Sequence, residues 1–138
     1  TTLDDVAEVI ERDPDTSKPL NERGRRPLGV FAVNVLPITV RELDIEISGF
    51  VDLTAEKEQT IEDALTEAIA EVRPFIAGAD LLSERNDVIG QNNIINIILN
   101  AVPGAAFATV SLKVDSTPVA SYQFLLGDIP HLNSVTYV

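Results

Sequence analysis

Histidine and cysteine, two side chains that often act as catalytic base and nucleophile, are scarce in this sequence of 138 residues. There is one histidine, His131, and no cysteine, which excludes a thiol nucleophile, a thiolate metal ligand and a disulfide. His131 lies between Pro130 and Leu132 without a serine or carboxylate at a diagnostic spacing, and no Gly-x-Ser-x-Gly elbow occurs. The sequence therefore predicts no catalytic residue and no enzyme activity, with His131 in a loop or in the core.

One acidic stretch begins like a calcium-binding loop. Asp13, Asp15 and Ser17 have the alternate spacing of such a loop. Its sixth position, however, holds Lys18 where glycine is needed, and its twelfth holds Gly24 where glutamate would bind the ion. We interpret the stretch as an ordinary acidic turn and predict no metal site.

A pair of carboxylates, Asp44 and Glu46, alternates with apolar residues along a predicted strand. Because side chains of this parity face water, the pair is interpreted as part of a solvated surface rather than as a catalytic pair. Phosphate-binding glycines are missing, since Gly24 and Gly29 are too far apart for a dinucleotide motif and no Gly-Lys-Ser/Thr follows a strand. We predict no bound cofactor.

The charge of the chain limits its classes of partner. The sequence has 22 acidic and 10 basic side chains, for a formal net charge of −12. Such a field repels phosphate backbones and anionic lipids, so neither nucleic acid nor a membrane is predicted as a partner. The one basic cluster, Arg23, Arg25 and Arg26, is a candidate contact for an acidic surface on a neighbouring subunit, with a solvated loop as the alternative.

The sequence also lacks the usual signals for membrane insertion and export. No apolar stretch reaches the roughly 18 residues of a transmembrane helix, and no basic segment leads into an apolar one at the start. We predict neither a transmembrane span nor a signal peptide. Because the chain has no methionine and begins within a helix-like phrase, we interpret it as a fragment of a longer polypeptide.

Apolar periodicity, together with the positions of proline and glycine, predicts the order of helices and strands. Helices are predicted at 3–12, from 55 to a bend or end at Arg73 with Gly78 as a natural stop, and at 94–102, the second of them capped by Thr54. Strands are predicted at 31–35, 40–53, 106–114, 119–126 and 135–138, with loops at 13–24 and 127–133 and a hairpin turn at residues 116–118.

The strand at 40–53 and the helix that follows it have the clearest core faces. Apolar residues of one parity occupy the strand: Leu43, Ile45, Ile47, Val51 and Leu53. Leu65, Ile69 and Val72 of the helix are predicted to pack on this face. The fold class is therefore α+β, a single small domain with a mixed or antiparallel sheet, two main helices on one face and a short N-terminal helix. Residues 1–29 are assigned to the N-terminal helix and loop that lead in from the parent chain, and residues 30–138 to an α+β sandwich assembly domain.

Short phrases at fixed places in this order carry a family resemblance. They are Arg26-Pro27-Leu28-Gly29, Val35-Leu36-Pro37, Ala101-Val102-Pro103-Gly104 and Ile129-Pro130-His131-Leu132. With the element order, they resemble the C-terminal region of the baseplate J-like proteins of contractile phage tails, a family that includes the wedge protein of Mu-like phages. The resemblance implies a structural domain of the virion tail baseplate, assembled in the bacterial host cytoplasm, that contacts other baseplate or tail proteins and copies of itself. It implies no active site.

The last predicted strand is a second candidate contact, because an edge strand can be extended by another chain. Val135 and Tyr137 are the residues of this strand predicted to contact another chain. The net charge of −12 opposes self-association, so we expect the isolated fragment to be a monomer or weak dimer. The alternatives from other classes are a ligand-binding regulatory domain of an enzyme and a ring-building domain of a bacterial secretion or injection system. A pocket with convergent polar groups would favour the regulatory domain, and a large flat surface would favour assembly.

Overall fold

The computed structural model describes residues 2–11, 17, 19, 24 and 35–138. The chain divides into two compact units, Thr1–Pro37 and Ile38–Val138. In the first unit, helix α1 spans Leu3–Glu11, in agreement with the predicted helix. The Thr2 hydroxyl accepts a hydrogen bond from the Asp5 N–H, and the Asp5 carboxylate accepts one from the Thr2 N–H, which caps the first turn reciprocally.

Most of the first unit after α1 lies outside the described residues. This applies to the acidic stretch at 13–24 apart from Ser17, Pro19 and Gly24, to the three arginines of the basic cluster, and to the predicted strand at 31–35 apart from Val35. Val35 itself is not in a strand.

The second unit contains the elements that form the fold. In chain order they are β1 (Thr39–Ser48), α2 (Ala55–Ala70), β2 (Val88–Gly90), α3 (Gln91–Ala101), β3 (Thr109–Val114), β4 (Thr117–Val119), β5 (Ser121–Gln123) and β6 (Asp128–Tyr137), with a short 3₁₀ turn at Leu82–Glu84 between α2 and β2. Helices and a mixed sheet in one unit confirm the predicted α+β class.

The main sheet has the strand order β4-β3-β1-β6. β1 is antiparallel to β3 and parallel to β6, so of the two predicted sheet types the mixed one is present. β2 and β5 form a separate antiparallel ribbon. β6 and β4 are therefore the two edge strands of the main sheet in the part of the chain that the structure describes.

The core lies between the main sheet and helices α2 and α3. Its fully or nearly buried members are Leu43, Ile45 and Ile47 of β1, Ile61, Leu65 and Ile69 of α2, Ile94 and Ile98 of α3, Val110, Leu112 and Val114 of β3, and Val72, Ile89 and Phe124 from the connections and the ribbon. The predicted helix face and the predicted strand face thus share one core. α2 contacts β6 and α3 contacts β3. The two helices therefore cover the two halves of the same sheet face.

Capping and backbone geometry explain where α2 and the β3–β4 hairpin begin and end. The Thr54 hydroxyl accepts a hydrogen bond from the Lys57 N–H at 3.2 Å, which confirms Thr54 as the cap of α2. In the hairpin, Asp115 and Ser116 have φ of 49° and 67°, as in a two-residue turn of the type that matches strand twist. The predicted turn at 116–118 was therefore displaced, since Thr117 and Pro118 already belong to β4.

Two predicted elements were too long. The strand predicted to reach Leu53 ends at Ser48, because Gly49 adopts a φ of +67° and turns the chain, which leaves Val51 exposed. The helix α2 ends at Ala70, ahead of the predicted stop at Pro74. Proline disfavours helical geometry in the residue before it, and the carbonyl of Glu71 instead accepts a hydrogen bond from the Asn86 side chain.

The loop predicted at 127–133 was wrong, because these residues form most of β6. The strand predicted at 135–138 is only the last part of it. The prediction of one strand at 119–126 was also wrong. Val119 is the last residue of β4, and residues 121–123 form a separate strand that pairs with β2. The strand β2 itself was not predicted.

A buried carboxylate fixes the long connection between α2 and β2. Asp87 is 1% exposed and accepts hydrogen bonds from Arg85 at 2.7 and 3.0 Å and from Gln123 at 3.0 Å. The pKa of Asp87 is lowered to about 2, mainly by the hydrogen bond from Arg85. The Phe124 N–H donates to the Asp87 carbonyl at 2.7 Å, so the residue joins this connection to the end of β5.

Candidate functional site

His131, the one imidazole, lies on β6 rather than in the predicted loop or in the core. Its side chain is 60% exposed, and Nδ1 lies 2.7 Å from Oε2 of Glu42 on the neighbouring strand β1. The two residues are register partners across the parallel pair. This arrangement is a cross-strand polar contact on an open sheet face.

Asp44 and Glu46 lie on the sheet face opposite the helices, as the strand parity predicted. Asp44 accepts hydrogen bonds from the Ser134 hydroxyl at 2.6 Å and from the Asn133 amide at 2.7 Å, and these bonds lower its pKa. Both donors belong to the irregular part of β6, where Asn133 is the extra residue of a bulge. The carboxylate of Asp44 therefore holds the bulge against β1.

The hydrogen bonds of β6 show which of its backbone groups remain free. Val138 donates to the Ile47 carbonyl at 3.0 Å and accepts from the Gly49 N–H at 2.9 Å, so both of its backbone groups are used by the chain of β1. In a parallel pair the residues of a strand alternate between facing the partner and facing away. Val135 and Tyr137 consequently direct their N–H and C=O groups away from β1, to the outer edge of the sheet.

The first half of β6 is less open to pairing than the second half. The carbonyl of Gly127 accepts from the Thr39 N–H at 2.8 Å, which by the same alternation places Pro130 among the outward-facing residues. Proline has no N–H, and an edge strand is where it is tolerated in a sheet. The bulge at Asn133 then separates this half from residues 134–138. The free edge of β6, meaning residues 134–138, thus contains both predicted contact residues of the last strand.

The side chains of these two residues point to the helix-covered face of the sheet. Val135 and Tyr137 are partners of the buried Ile45 and Ile47 in the β1 register, and both are half-buried at the margin of the core. The free edge therefore has an apolar side, which is the side on which α2 contacts β6.

An aromatic cluster lies at the end of this edge. Phe50 stacks on Phe107 with ring centroids 6.0 Å apart, and Tyr137 meets Phe50 edge-on at 6.2 Å. The Tyr137 hydroxyl is buried without a hydrogen-bond partner among the described residues. Its burial and the nearby carboxylates Glu58 and Glu62 of α2 raise the pKa of Tyr137 to about 12. The cluster therefore combines apolar rings with a negative local potential.

The opposite end of β6 is apolar and exposed. Val40 and Ile129 are register partners and are 49% and 44% exposed, while Ile38, Leu125 and Leu126 nearby are 69%, 63% and 59% exposed. These five residues are called the apolar end below. It is continuous with the sheet edge, because Ile129 belongs to β6.

A charged network that the sequence did not reveal fixes the apolar end. Arg41 donates to Asp115 at 2.9 Å and to Asp128 at 3.0 Å, which links the hairpin turn after β3 to the start of β6. Asp128 is 6% exposed and also accepts from the Leu125 N–H at 2.9 Å. The hydrogen bonds that Arg41 donates to Asp115 and Asp128 raise the pKa of Arg41 further above its ordinary value, so the guanidinium stays charged. Arg41 lies within the strand predicted at 40–53, and no sequence motif marked it.

The basic cluster Arg23, Arg25 and Arg26 lies outside the described residues, so only the edge-strand candidates can be placed. Within residues 2–11, 17, 19, 24 and 35–138, no group of three His, Cys, Asp or Glu side chains is arranged to hold a metal ion. No helix in the same ranges is long and apolar enough to cross a membrane. One depression on the described surface lies on the helix-free face and is lined by Asp44, Lys113 and Thr136, and another is lined by Glu71, Asn93 and Asn96 beside α2 and α3.

No protein-family model matches the sequence, and no curated protein matches it.

Proposed function

We propose that this chain is a non-catalytic assembly domain of a contractile-tail baseplate, which binds a neighbouring subunit through the free edge of β6. The observation that carries the proposal is this edge: a mixed sheet whose parallel outer strand has no partner for the backbone groups of Val135 and Tyr137 within the residues that the structure describes. The baseplate assignment rests on the resemblance in element order and short phrases to the baseplate J-like proteins.

Backbone pairing at an edge strand is weak between two isolated partners and stable in an assembly of many copies. Each backbone hydrogen bond contributes a net of about 0.5–1.5 kcal/mol, so a few of them give only a weak complex between isolated partners. In a ring, many copies are held at high effective concentration, and the same contact becomes stable. The isolated domain is therefore a monomer or weak dimer, and its partners are other baseplate or tail proteins and copies of itself.

A cross-linking experiment tests the edge in the intact particle. Since the chain has no cysteine, a single one can be introduced for a cysteine-reactive photo-cross-linker. Thr136→Cys places it on β6, and Thr117→Cys places it on β4, the opposite edge of the same sheet, with both side chains exposed. We expect Thr136→Cys to cross-link to a neighbouring subunit in purified tails and Thr117→Cys to do so far less.

Two results would overturn the proposal. Equal yields at the two positions would remove β6 as the chosen contact. Failure of the parent protein to copurify with tail particles would remove the baseplate assignment itself.

The basic cluster is a second surface of the same proposal. Charge reversal of Arg23, Arg25 and Arg26 to glutamate should leave the domain folded, because the change lies outside Ile38–Val138, and should reduce incorporation of the parent protein into baseplates. Circular dichroism checks the fold, and the amount of the protein in purified particles checks assembly. Normal assembly of the folded variant would eliminate this cluster as a contact.

A further inference from the structure

We infer that the recess formed by α2, α3 and β2 receives an extended, uncharged segment of a partner protein, whose backbone is hydrogen-bonded by asparagine side chains. The recess, called the asparagine recess below, has a volume of about 280 Å³. Its polar lining is a set of carboxamides from Asn86, Asn93, Asn96 and Asn100. Its apolar lining comes from Ala68, Val72, Val88, Ile89 and Ile97. None of these residues belongs to β6, so the inference goes beyond the contact in the proposed function.

Two of the carboxamides are held in place by hydrogen bonds with the backbone. Oδ1 of Asn93 accepts from the Gly90 N–H at 3.0 Å, so the Nδ2 group of Asn93 is left to donate to a ligand. Nδ2 of Asn86 donates to the Glu71 carbonyl at 3.1 Å, so Oδ1 of Asn86 is left to accept. Among the described residues, neither remaining group has a partner. The recess therefore offers one oriented donor and one oriented acceptor, the pair that complements a peptide group.

The other two carboxamides have a spacing that suits an extended chain. The side chains of Asn96 and Asn100 make no hydrogen bond within the part of the chain that the structure describes. They are four residues apart on one side of α3, which is about 6 Å along the helix axis. In an extended chain, peptide groups that face the same side repeat every two residues, or about 6.6 Å. Successive peptide groups of one strand can thus reach both asparagines.

The absence of charge in this part of the sequence indicates a contact surface. Residues 88–112, which include all of α3, contain no acidic or basic side chain, although 23% of the chain is charged. Exposed surfaces of soluble proteins usually carry charge, as the exposed Glu62 and Glu67 of α2 do. The centres of protein interfaces, in contrast, are depleted of charged residues. Among the described residues that line the recess, only Glu71 is charged, so the segment that binds there is itself uncharged.

The volume of the recess indicates which conformation of the segment fits. About 280 Å³ lies just below the 300–1,000 Å³ of sites that enclose whole small-molecule ligands. An α-helix with its side chains is about 10–12 Å across, which is too wide for this space. An extended chain can lie along α3 and place one apolar side chain against Val88, which is 42% exposed, and the half-buried Ile97. Burial of that side chain adds to the strength of the backbone hydrogen bonds.

A peptide titration of the 138-residue chain tests the inference. The probe is the pentapeptide serine-threonine-leucine-threonine-serine, acetylated and amidated so that it has no charge. The comparison peptide is methylated on the backbone nitrogens of leucine and the following threonine, which removes two N–H donors and keeps every side chain. NMR of the ¹⁵N-labelled chain follows backbone and asparagine side-chain amides. We expect the probe to shift the side-chain amides of Asn96 and Asn100, and the methylated peptide to bind at least about fivefold more weakly.

Alanine variants within α3 provide the matched control. Asn96 lines the recess, whereas Asn92 is an exposed asparagine of the same helix that does not line it. Asn96→Ala and Asn92→Ala are the same chemical change, and both replace a weak helix former with a strong one, so both variants should fold. We expect Asn96→Ala to weaken binding of the probe about three- to tenfold and Asn92→Ala to change it less than about 1.5-fold.

Each contrary outcome removes a different part of the inference. Equal effects of Asn96→Ala and Asn92→Ala, or equal affinities for the two peptides, would overturn backbone recognition by the asparagines. Absence of shifts at the recess would overturn it as a binding site, and shifts caused by maltose but not by the probe would make the occupant a carbohydrate. Self-association in sedimentation that Asn96→Ala abolishes would make it a second copy. All these results leave the cross-linking comparison at β6 unaffected.

Discussion

The substitution Leu65→Ala measures how far the packing of α2 on the sheet determines stability. Leu65 is completely buried, and Ile61 and Ile69, one turn away on each side, are 0% and 3% exposed. Removing three buried carbon atoms costs roughly 2.4 kcal/mol at about 0.8 kcal/mol per carbon. Because neighbours on both sides hold the helix in place, the cavity cannot collapse fully, and its cost raises the expected loss to about 3–4 kcal/mol.

Urea denaturation followed by circular dichroism measures this loss. With a slope of about 1.5 kcal/mol per molar, the midpoint should fall by roughly 2 M at an unchanged slope. The matched control is Leu82→Ala, the same chemical change at a side chain that is 76% exposed, and it should change stability by less than about 0.5 kcal/mol. An unchanged midpoint for Leu65→Ala at an unchanged slope would refute the placement of α2 over the sheet.

Three further changes test other parts of the fold. Thr54→Ala removes the cap of α2 and should lower the free energy of unfolding by about 0.5–2 kcal/mol in the same assay, whereas Thr54→Ser should retain most of it. The pKa of Asp87 is about 2 in the folded chain, below its ordinary value, so the stability that its ionised carboxylate contributes is complete above about pH 4 and is lost as the pH falls through 2. Asp87→Asn should therefore reduce the loss of unfolding free energy between about pH 4 and pH 2, and an unchanged loss would contradict the hydrogen bonds assigned to Asp87. Gly49→Ala places a Cβ on a backbone with φ +67° and only 2.9 Å from the Cβ of Ala108, so it should lower the thermal midpoint. The control is Gly24→Ala, whose added Cβ has no described atom within 4 Å and should leave the thermal midpoint unchanged.

Core-facing periodicity was the sequence signal that placed α2, α3 and the buried half of β1. Ile61, Leu65 and Ile69 recur one turn apart, and their spacing is readable without any partner. The alternation of Ile45 and Ile47 is equally local. These signals predicted the fold class, because an apolar stripe and an apolar strand face must cover each other.

The lengths of these elements were less predictable, since competing contacts ended them. Val51 continues the parity of β1, yet the positive φ of Gly49 turns the chain before it. The end of α2 depends on Asn86, which is distant in sequence and binds the Glu71 carbonyl. Neither the positive φ of Gly49 nor the hydrogen bond from Asn86 produces a periodic pattern in the sequence.

The edge strand β6, which holds the candidate site, could be only partly predicted. Val135 and Tyr137 were identified as residues of a last strand, but residues 127–133 were assigned to a loop, and Pro130 and Asn133 in this stretch are poor strand residues. The bulge at Asn133 also breaks the alternation, so that Leu132 and Val135, three positions apart, both face the core side. A scan for a two-residue period cannot detect such a strand.

The sequence by itself determined which stripes are apolar, the predominance of negative charge and the absence of cysteine. Only the tertiary structure decided that β6 pairs in parallel with β1 on one side and, among the described residues, has no strand paired to its other side. It also decided that Tyr137, near the end of the sequence, meets Phe50 edge-on. The physical reason is that local periodicity specifies which face of an element is buried, whereas strand order and the neighbours of an edge depend on contacts between residues far apart in sequence.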